Sequence, residues 1–144
     1  MMVENNNILV AVDGSKMQDK IISKLMEEIS QKKVNVILLR VIETPFYLMN
    51  MAGQKHIMDK VTEFIKQDLQ TLKKSINDKY PNIKVTAWVK YGDPKRKITS
   101  IVSESGIPIQ LIIMGVTGEN EENMAGSTTA YVVNHAPCNV LVVR

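Results

Sequence analysis

The residues best suited to chemistry lie between Ile109 and Val133, where the chain reads IQLIIMGVTGENEENMAGSTTAYVV. An apolar run passes into a polar loop marked by Gly115, Gly118 and Gly126, and then into Ser127, Thr128 and Thr129 at what reads as a helix start. The first N–H groups of a helix have no partner inside it. They sit at the positive end of the helix dipole, and glycines let a ligand approach the main chain. Together these are the ingredients of a phosphate site. A plainer reading of the same residues stays open, in which Gly115 and Gly118 only turn the chain and Ser127 only caps a helix.

Other chemistries find less support. The two histidines, His56 and His135, fall within the longest helical segment and near the end of the last one, and read as surface or helix-end residues rather than as members of a nucleophile–base pair. No cluster of Cys, His and carboxylates has metal-ligand spacing, and there is no G-x-S-x-G elbow. The first apolar run leads into Asp13-Gly14-Ser15-Lys16, not into the G-x-G-x-x-G of a dinucleotide fold. No lysine stands between Gly126 and Ser127, so the P-loop group that reaches the outer phosphates is missing. A cradle here is mostly backbone, and would hold a nucleotide more readily than hydrolyse it. An enzyme acting on a nucleotide would lack an identifiable catalytic group.

The elements that must position these residues alternate regularly. Asn7 to Val12 is a short continuous apolar run, as in a strand buried on both faces. Met17 to Gln31 carries Ile21, Ile22, Leu25, Met26 and Ile29 at helical spacing, with Ser15 as its expected N-cap. Val34 to Ile42 is a second buried strand. Glu43 to Gly53 is an unusually apolar loop, with Phe46, Tyr47, Leu48, Met49 and Met51, which must pack over its own domain, a ligand or a partner. Lys55 to Lys79 is the longest helix. Ile83 to Val89 alternates apolar and polar residues, as a strand at or near a sheet edge does. Asp93 and Pro94 start a third helix, by capping and by occupying the first helical position, and Gly106 stops it. Ser127 to about His135 forms the last helix and Asn139 to Val143 the last strand. Such alternation predicts one α/β domain over residues 1–144, a parallel sheet with helices on both faces. Ligands bind such sheets at the carboxyl ends of the strands, where strand order reverses. The loops after strand one and strand four should meet there.

Bulk composition agrees with a folded single domain. With 144 residues the chain is long enough to bury about two thirds of its unfolded surface. Cys138 is its one cysteine, so no intramolecular disulfide forms, as expected in a reducing cytoplasm. No apolar run reaches the roughly 18 residues of a membrane span, and a soluble cytoplasmic protein is expected. The net charge of +3 is spread along mixed-sign helix faces, and the few aromatics are scattered. This argues against a nucleic-acid surface.

ILVAVDGS near the start, YGDP before the third helix, and LIIMGVTG and GSTTAYVVNHAPCNVLVVR at the end together resemble the universal stress protein family over essentially the whole chain. That resemblance implies a Rossmann-like five-stranded sheet in order 3-2-1-4-5 and a homodimer formed through the last strand, Val140 to Val143. It also implies ATP, alone or with Mg²⁺, as the cofactor, because the nucleotide-binding members carry G-x2-G-x9-G-[ST]. Gly115, Gly118, Gly126 and Ser127 match that pattern. By the same resemblance Asp13 and the backbone of Val41 face adenine, Gly115 faces the ribose, and Val12 and Met114 lie at the same mouth. Thr117, Gly118, Gly126, Ser127 and Thr128 face the phosphates. One departure stands out: seven residues, Glu119 to Ala125, occupy the place of nine, and three of them are acidic. A carboxylate about 8 Å from one phosphate charge costs roughly 0.5 kcal/mol in water, so several pairs weaken binding on the order of tenfold, and a bound Mg²⁺ offsets part of that. A second expectation keeps the fold without the nucleotide, as an interaction module using the Pro45–Met51 loop and the terminal strand. The shortened loop favours it; the intact glycines oppose it.

Overall fold

The structure is a computed structural model that describes residues 6–29, 33–43, 53–116 and 126–144. Among these residues five strands and four helices alternate: β1 (Asn7–Ala11), α1 (Gln18–Ile29), β2 (Asn35–Ile42), α2 (Gln54–Lys79), β3 (Lys84–Tyr91), α3 (Pro94–Glu104), β4 (Ile109–Gly115), α4 (Ser127–His135) and β5 (Asn139–Val143). Every strand pairing is parallel and the order is β3-β2-β1-β4-β5, as expected. β1 is central because its residues are apolar on both faces: Leu9 and Val10 are fully buried.

The alternation of side chains across the sheet divides the core in two. Ile8, Val10, Val36 and Leu38 pack with Ile21, Leu25 and Ile29 of α1 and Ile65, Leu69 and Ile76 of α2. Leu9, Ile37, Leu39, Ile112 and Met114 pack on the opposite face with Ile98 and Ile101 of α3 and Val132 of α4. Each buried Leu or Ile contributes about 1.5–3 kcal/mol over exposure, so both layers hold the sheet rigidly. Its amino edge is tied by Asn7, which is buried. The Asn7 side chain donates to Pro108 O at 2.7 Å and accepts from Asn35 Nδ2 at 3.1 Å.

Several boundaries differ from the sequence reading. β3 runs on to Tyr91 because Lys90 and Tyr91 keep register with Val41 and Ile42. α1 is described as far as Ile29, and the continuation to Gln31 lies outside the described residues. Asp93 stands at the N-cap of α3 without making a side-chain cap bond; its carboxylate instead pairs with Arg96 at 3.4 Å. Pro94 does occupy the first helical position. The cap of α4 is Gly126, again without a side-chain bond, so Ser127 is the first helical residue rather than the cap. The apolar loop Pro45–Met51 lies outside the described residues.

Candidate functional site

Strand order reverses between β1 and β4, on either side of which β2 and β5 are added outward. At the carboxyl ends of these strands a cavity of about 190 Å³ opens, reaching the first turn of α4. One wall is apolar. Ala11, Leu39, Val41 and Met114 come from alternate positions on one sheet face, and Pro94 and Ile98 of α3 close over them.

The backbone at Val41 is set up by a mismatch in strand length. β1 ends at Ala11, and the last bond between it and β2 runs from Val12 N to Leu39 O at 3.0 Å. Residues two apart on a strand point their backbone groups to the same side, so Val41 also faces the β1 side. There β1 has ended, and the Val41 N–H and C=O have no backbone partner among the described residues. The next residue faces the other way, with Ile42 O accepting from Gly92 N at 3.1 Å. Val41 therefore offers an adjacent donor and acceptor beside an apolar wall.

Asp13 follows β1 and lines the cavity. Its Oδ1 accepts from Ser15 N at 2.9 Å, which folds the loop back on itself and leaves Oδ2 for a ligand. Ser15 Oγ in turn accepts from Met17 N at 3.2 Å. Gly14 is favoured here chiefly by its backbone conformation. Its φ is +76°, and an added Cβ would lie 2.8 Å from Arg40 Nη1.

The polar end of the cavity is the start of α4. Thr129, only 3% exposed, donates its hydroxyl to Gly115 O at 2.7 Å and so fixes the helix to the end of β4. Ala130 N donates to Gly126 O. The preceding N–H groups, those of Ser127, Thr128 and Thr129, have no partner among the described residues. These are orphan amides at a positive helix end. Gly126 does not share that role through its own N–H, which donates to Val116 O at 2.9 Å. That bond brings the two ends of the nine-residue segment 117–125 together at its base. Gly126 has an ordinary extended conformation, φ −65° and ψ 166°, so backbone geometry alone does not demand glycine there.

Of the residues singled out from sequence, Val12, Asp13, Val41, Met114, Gly115 and Thr128 line the cavity together, and Gly126 and Ser127 lead into Thr128. Thr117 and Gly118 lie outside the described residues, as does the acidic run Glu119–Ala125. Ala11, Leu39, Pro94, Ile98 and Thr129 also line the cavity and were not expected there. The period-two pattern could have found Ala11 and Leu39, because they share a face with Val41. His56 is exposed on α2. His135 is exposed at the end of α4, stacked on Tyr131 at 4.0 Å between ring centroids. Asp13 is the one ionisable residue among the described lining. Cys138 lies beside β5 rather than in the cavity, and burial pushes its thiol pKa up.

The sequence model of the Universal stress protein family matches residues 4–144, and the chain belongs to that family. A universal stress protein of Methanothermobacter thermautotrophicus is 28% identical, over 95% of this chain and 94% of its own length. Among solved structures, the hypothetical protein MJ0577 has a TM-score of 0.83 at 28% identity, over 98% of this chain and 96% of its own. Universal stress protein UspA from Lactobacillus plantarum has a TM-score of 0.77 at 25% identity, over 99% of this chain and 100% of its own. Two more distant chains share the fold and were solved with nucleotides. One is from Archaeoglobus fulgidus, in complex with dAMP (TM-score 0.67, 16% identical, over 99% of this chain and 100% of its own). The other is from Arabidopsis thaliana, with AMP bound (TM-score 0.63, 20% identical, over 96% of this chain and 90% of its own). No helix among the described residues is long and apolar enough to cross a membrane.

Proposed function

We propose that this universal stress protein binds an adenine nucleotide, ATP in the first instance, in the cavity at the carboxyl ends of β1, β2 and β4. The observation that carries the reading is the unpaired backbone of Val41. Its N–H and C=O face a cavity with an apolar wall, and at the far side stand the orphan amides of Ser127 and Thr128. A purine needs such a wall and a donor–acceptor pair at its edge; a phosphate needs amides at a helix start. Adenine lies between Ile98 and the strand ends, facing Asp13 Oδ2 and the backbone of Val41, with Gly115 toward the ribose side. The described cavity, about 190 Å³, is smaller than the roughly 300 Å³ at which drug-sized ligand sites begin. It accommodates the base, and the phosphates extend past Thr128, out of the described cavity. Val12 and Met114 support the floor. Fold-sharing chains that carry AMP and dAMP support an adenine nucleotide as the ligand class.

The residues present fit a held nucleotide better than a cleaved one. Asp13 is the lone ionisable side chain of the described lining, and one of its oxygens is already bonded. Mg²⁺, when it accompanies the nucleotide, would neutralise part of the phosphate charge. The role that follows is a regulator or sensor in a stress response, set by nucleotide occupancy. Purification without added ligand, identification of anything released on denaturation, and titration of the ligand-free protein with ATP test it. Micromolar binding is expected; no heat at millimolar ATP overturns it and favours the nucleotide-free interaction module.

The protein is further proposed to form a homodimer through β5. Val116 N donates to Val143 O, so by alternation Val140 and Val142 point their backbone groups outward from the sheet edge, where a second copy can pair. Val142→Pro removes one outward donor, a change an edge strand tolerates, and should give monomers in sedimentation. An unchanged dimer would place the interface elsewhere.

A further inference from the structure

The other edge of the sheet carries a separate groove. Among the described residues β3 has no neighbouring strand on its outer side. Gly92 N donates to Ile42 O, so the even-numbered residues of β3 turn their backbone toward β2 and the odd-numbered ones turn it outward. Val85, Ala87, Val89 and Tyr91 thus present a row of N–H and C=O groups with no backbone partner among the described residues. Next to that row, between β3 and α3, is an opening of about 370 Å³ lined by Trp88, Lys90, Lys97, Ile101, Glu104 and Ser105. Trp88 and Ile101 give it an apolar floor. Lys90 stands over the Trp88 ring, 5.6 Å from its centroid, and Lys84 is exposed on the same strand face. Neither Lys90 nor Lys97 has a carboxylate in ion-pair range among the described residues. Glu104 is the one acid in the lining, against two lysines there and Lys84 further along the strand.

We infer that the β3 edge binds an acidic, extended peptide segment of a partner protein, added to the sheet as a sixth strand. Backbone bonds to Val85, Ala87 and Val89 would hold the segment, as in strand addition generally. Its apolar side chains would enter the Trp88–Ile101 groove, and its carboxylates would meet Lys90 and Lys97. Charge decides against a second copy of this chain. Antiparallel pairing of two β3 strands about Ala87 would set Lys84 of one directly opposite Lys90 of the other, and like charges in that position are destabilising. Edge lysines that discourage self-pairing attract a strand of opposite sign.

Trp88 is the only tryptophan, so its fluorescence reads this groove alone. Successive side chains of a strand point to opposite faces, so a capped ten-residue peptide with glutamate, valine and glutamate at alternate positions and threonine between them sets all three on the groove face; it should shift the emission saturably, and the amides of Val85, Ala87 and Val89 should become protected from hydrogen exchange. Affinity should fall more than tenfold in a Lys90→Glu, Lys97→Glu double variant of unchanged circular dichroism. It should fall comparably when a central proline is placed in the peptide. Three results would overturn the inference: no shift at millimolar peptide, equal binding of the proline peptide or of the same peptide with lysine for glutamate, or no new protection along β3. Protection in the protein alone that dilutes away would assign the edge to a second copy and overturn it as well.

Discussion

The two ends of the proposed nucleotide cavity are built by different means. At the strand end, Ala11, Leu39, Val41 and Met114 continue the buried core, and Leu39 and Met114 are 1% and 4% exposed. The wall's shape is set by the same packing that makes the sheet, and exists without any ligand. At the helix end the proposed binding groups are main-chain amides of α4, placed by one buried hydroxyl bond from Thr129 to Gly115 O. Side chains select at the first end, while position selects at the second. The base end should therefore respond to changes of volume, and the phosphate end to changes that delete a single N–H.

Filling the base end should have the largest effect. Ala11→Phe puts a ring into the cavity floor and should abolish binding of ATP and of adenosine alike, a loss of a hundredfold or more in calorimetry, with native circular dichroism. Binding of both at wild-type strength would show that the base lies elsewhere. Ser127→Pro separates the two ends more sharply. Proline suits the first helical position, whose N–H has no helical partner, and Gly126 already has the extended conformation that precedes proline. The helix should stand while one phosphate donor disappears. A hydrogen bond to a charged group contributes about 1.5–3 kcal/mol, roughly tenfold to a hundredfold in affinity, so ATP should weaken by that factor and adenosine should not change.

Thr129→Val acts on the join between the ends. It leaves the Gly115 carbonyl without its buried partner, at about 1–3 kcal/mol of folding stability, and thermal denaturation should show the loss. ATP affinity should fall with it, because α4 is no longer fixed to β4. The smallest effect is expected at Gly14. Gly14→Ala meets a positive φ and the Arg40 guanidinium; with Arg40 free to shift, the cost is about 1 kcal/mol of stability, read from denaturant midpoints, with a modest loss of adenosine binding through Asp13.

Much of this was legible in the sequence because it rests on local rules. Continuous apolar runs gave buried strands, helical spacing gave α1 and α2, and the alternation at Val85, Ala87 and Val89 marked an edge strand. Site residues carried by short motifs, Asp13, Gly115 and Thr128, came to one cavity. What could not be read depends on where separate segments stop relative to one another. That β1 ends two residues short of Val41 is a matter of register between strands. That the Gly126 N–H is spent on Val116 O depends on how the ends of a loop close. Asp93 was expected to cap α3, but Arg96 one turn on offers its carboxylate an ion pair instead, a competition that a capping rule does not weigh.

The most direct test of the proposed nucleotide site follows the amide resonances of ligand-free protein during titration with ATP and, separately, with adenosine. ATP should move Val41, Ser127 and Thr128 together, and adenosine should move Val41 while leaving Ser127 and Thr128 in place. Saturable shifts that spare Val41 and the start of α4, or no shifts at millimolar ATP, would contradict the account.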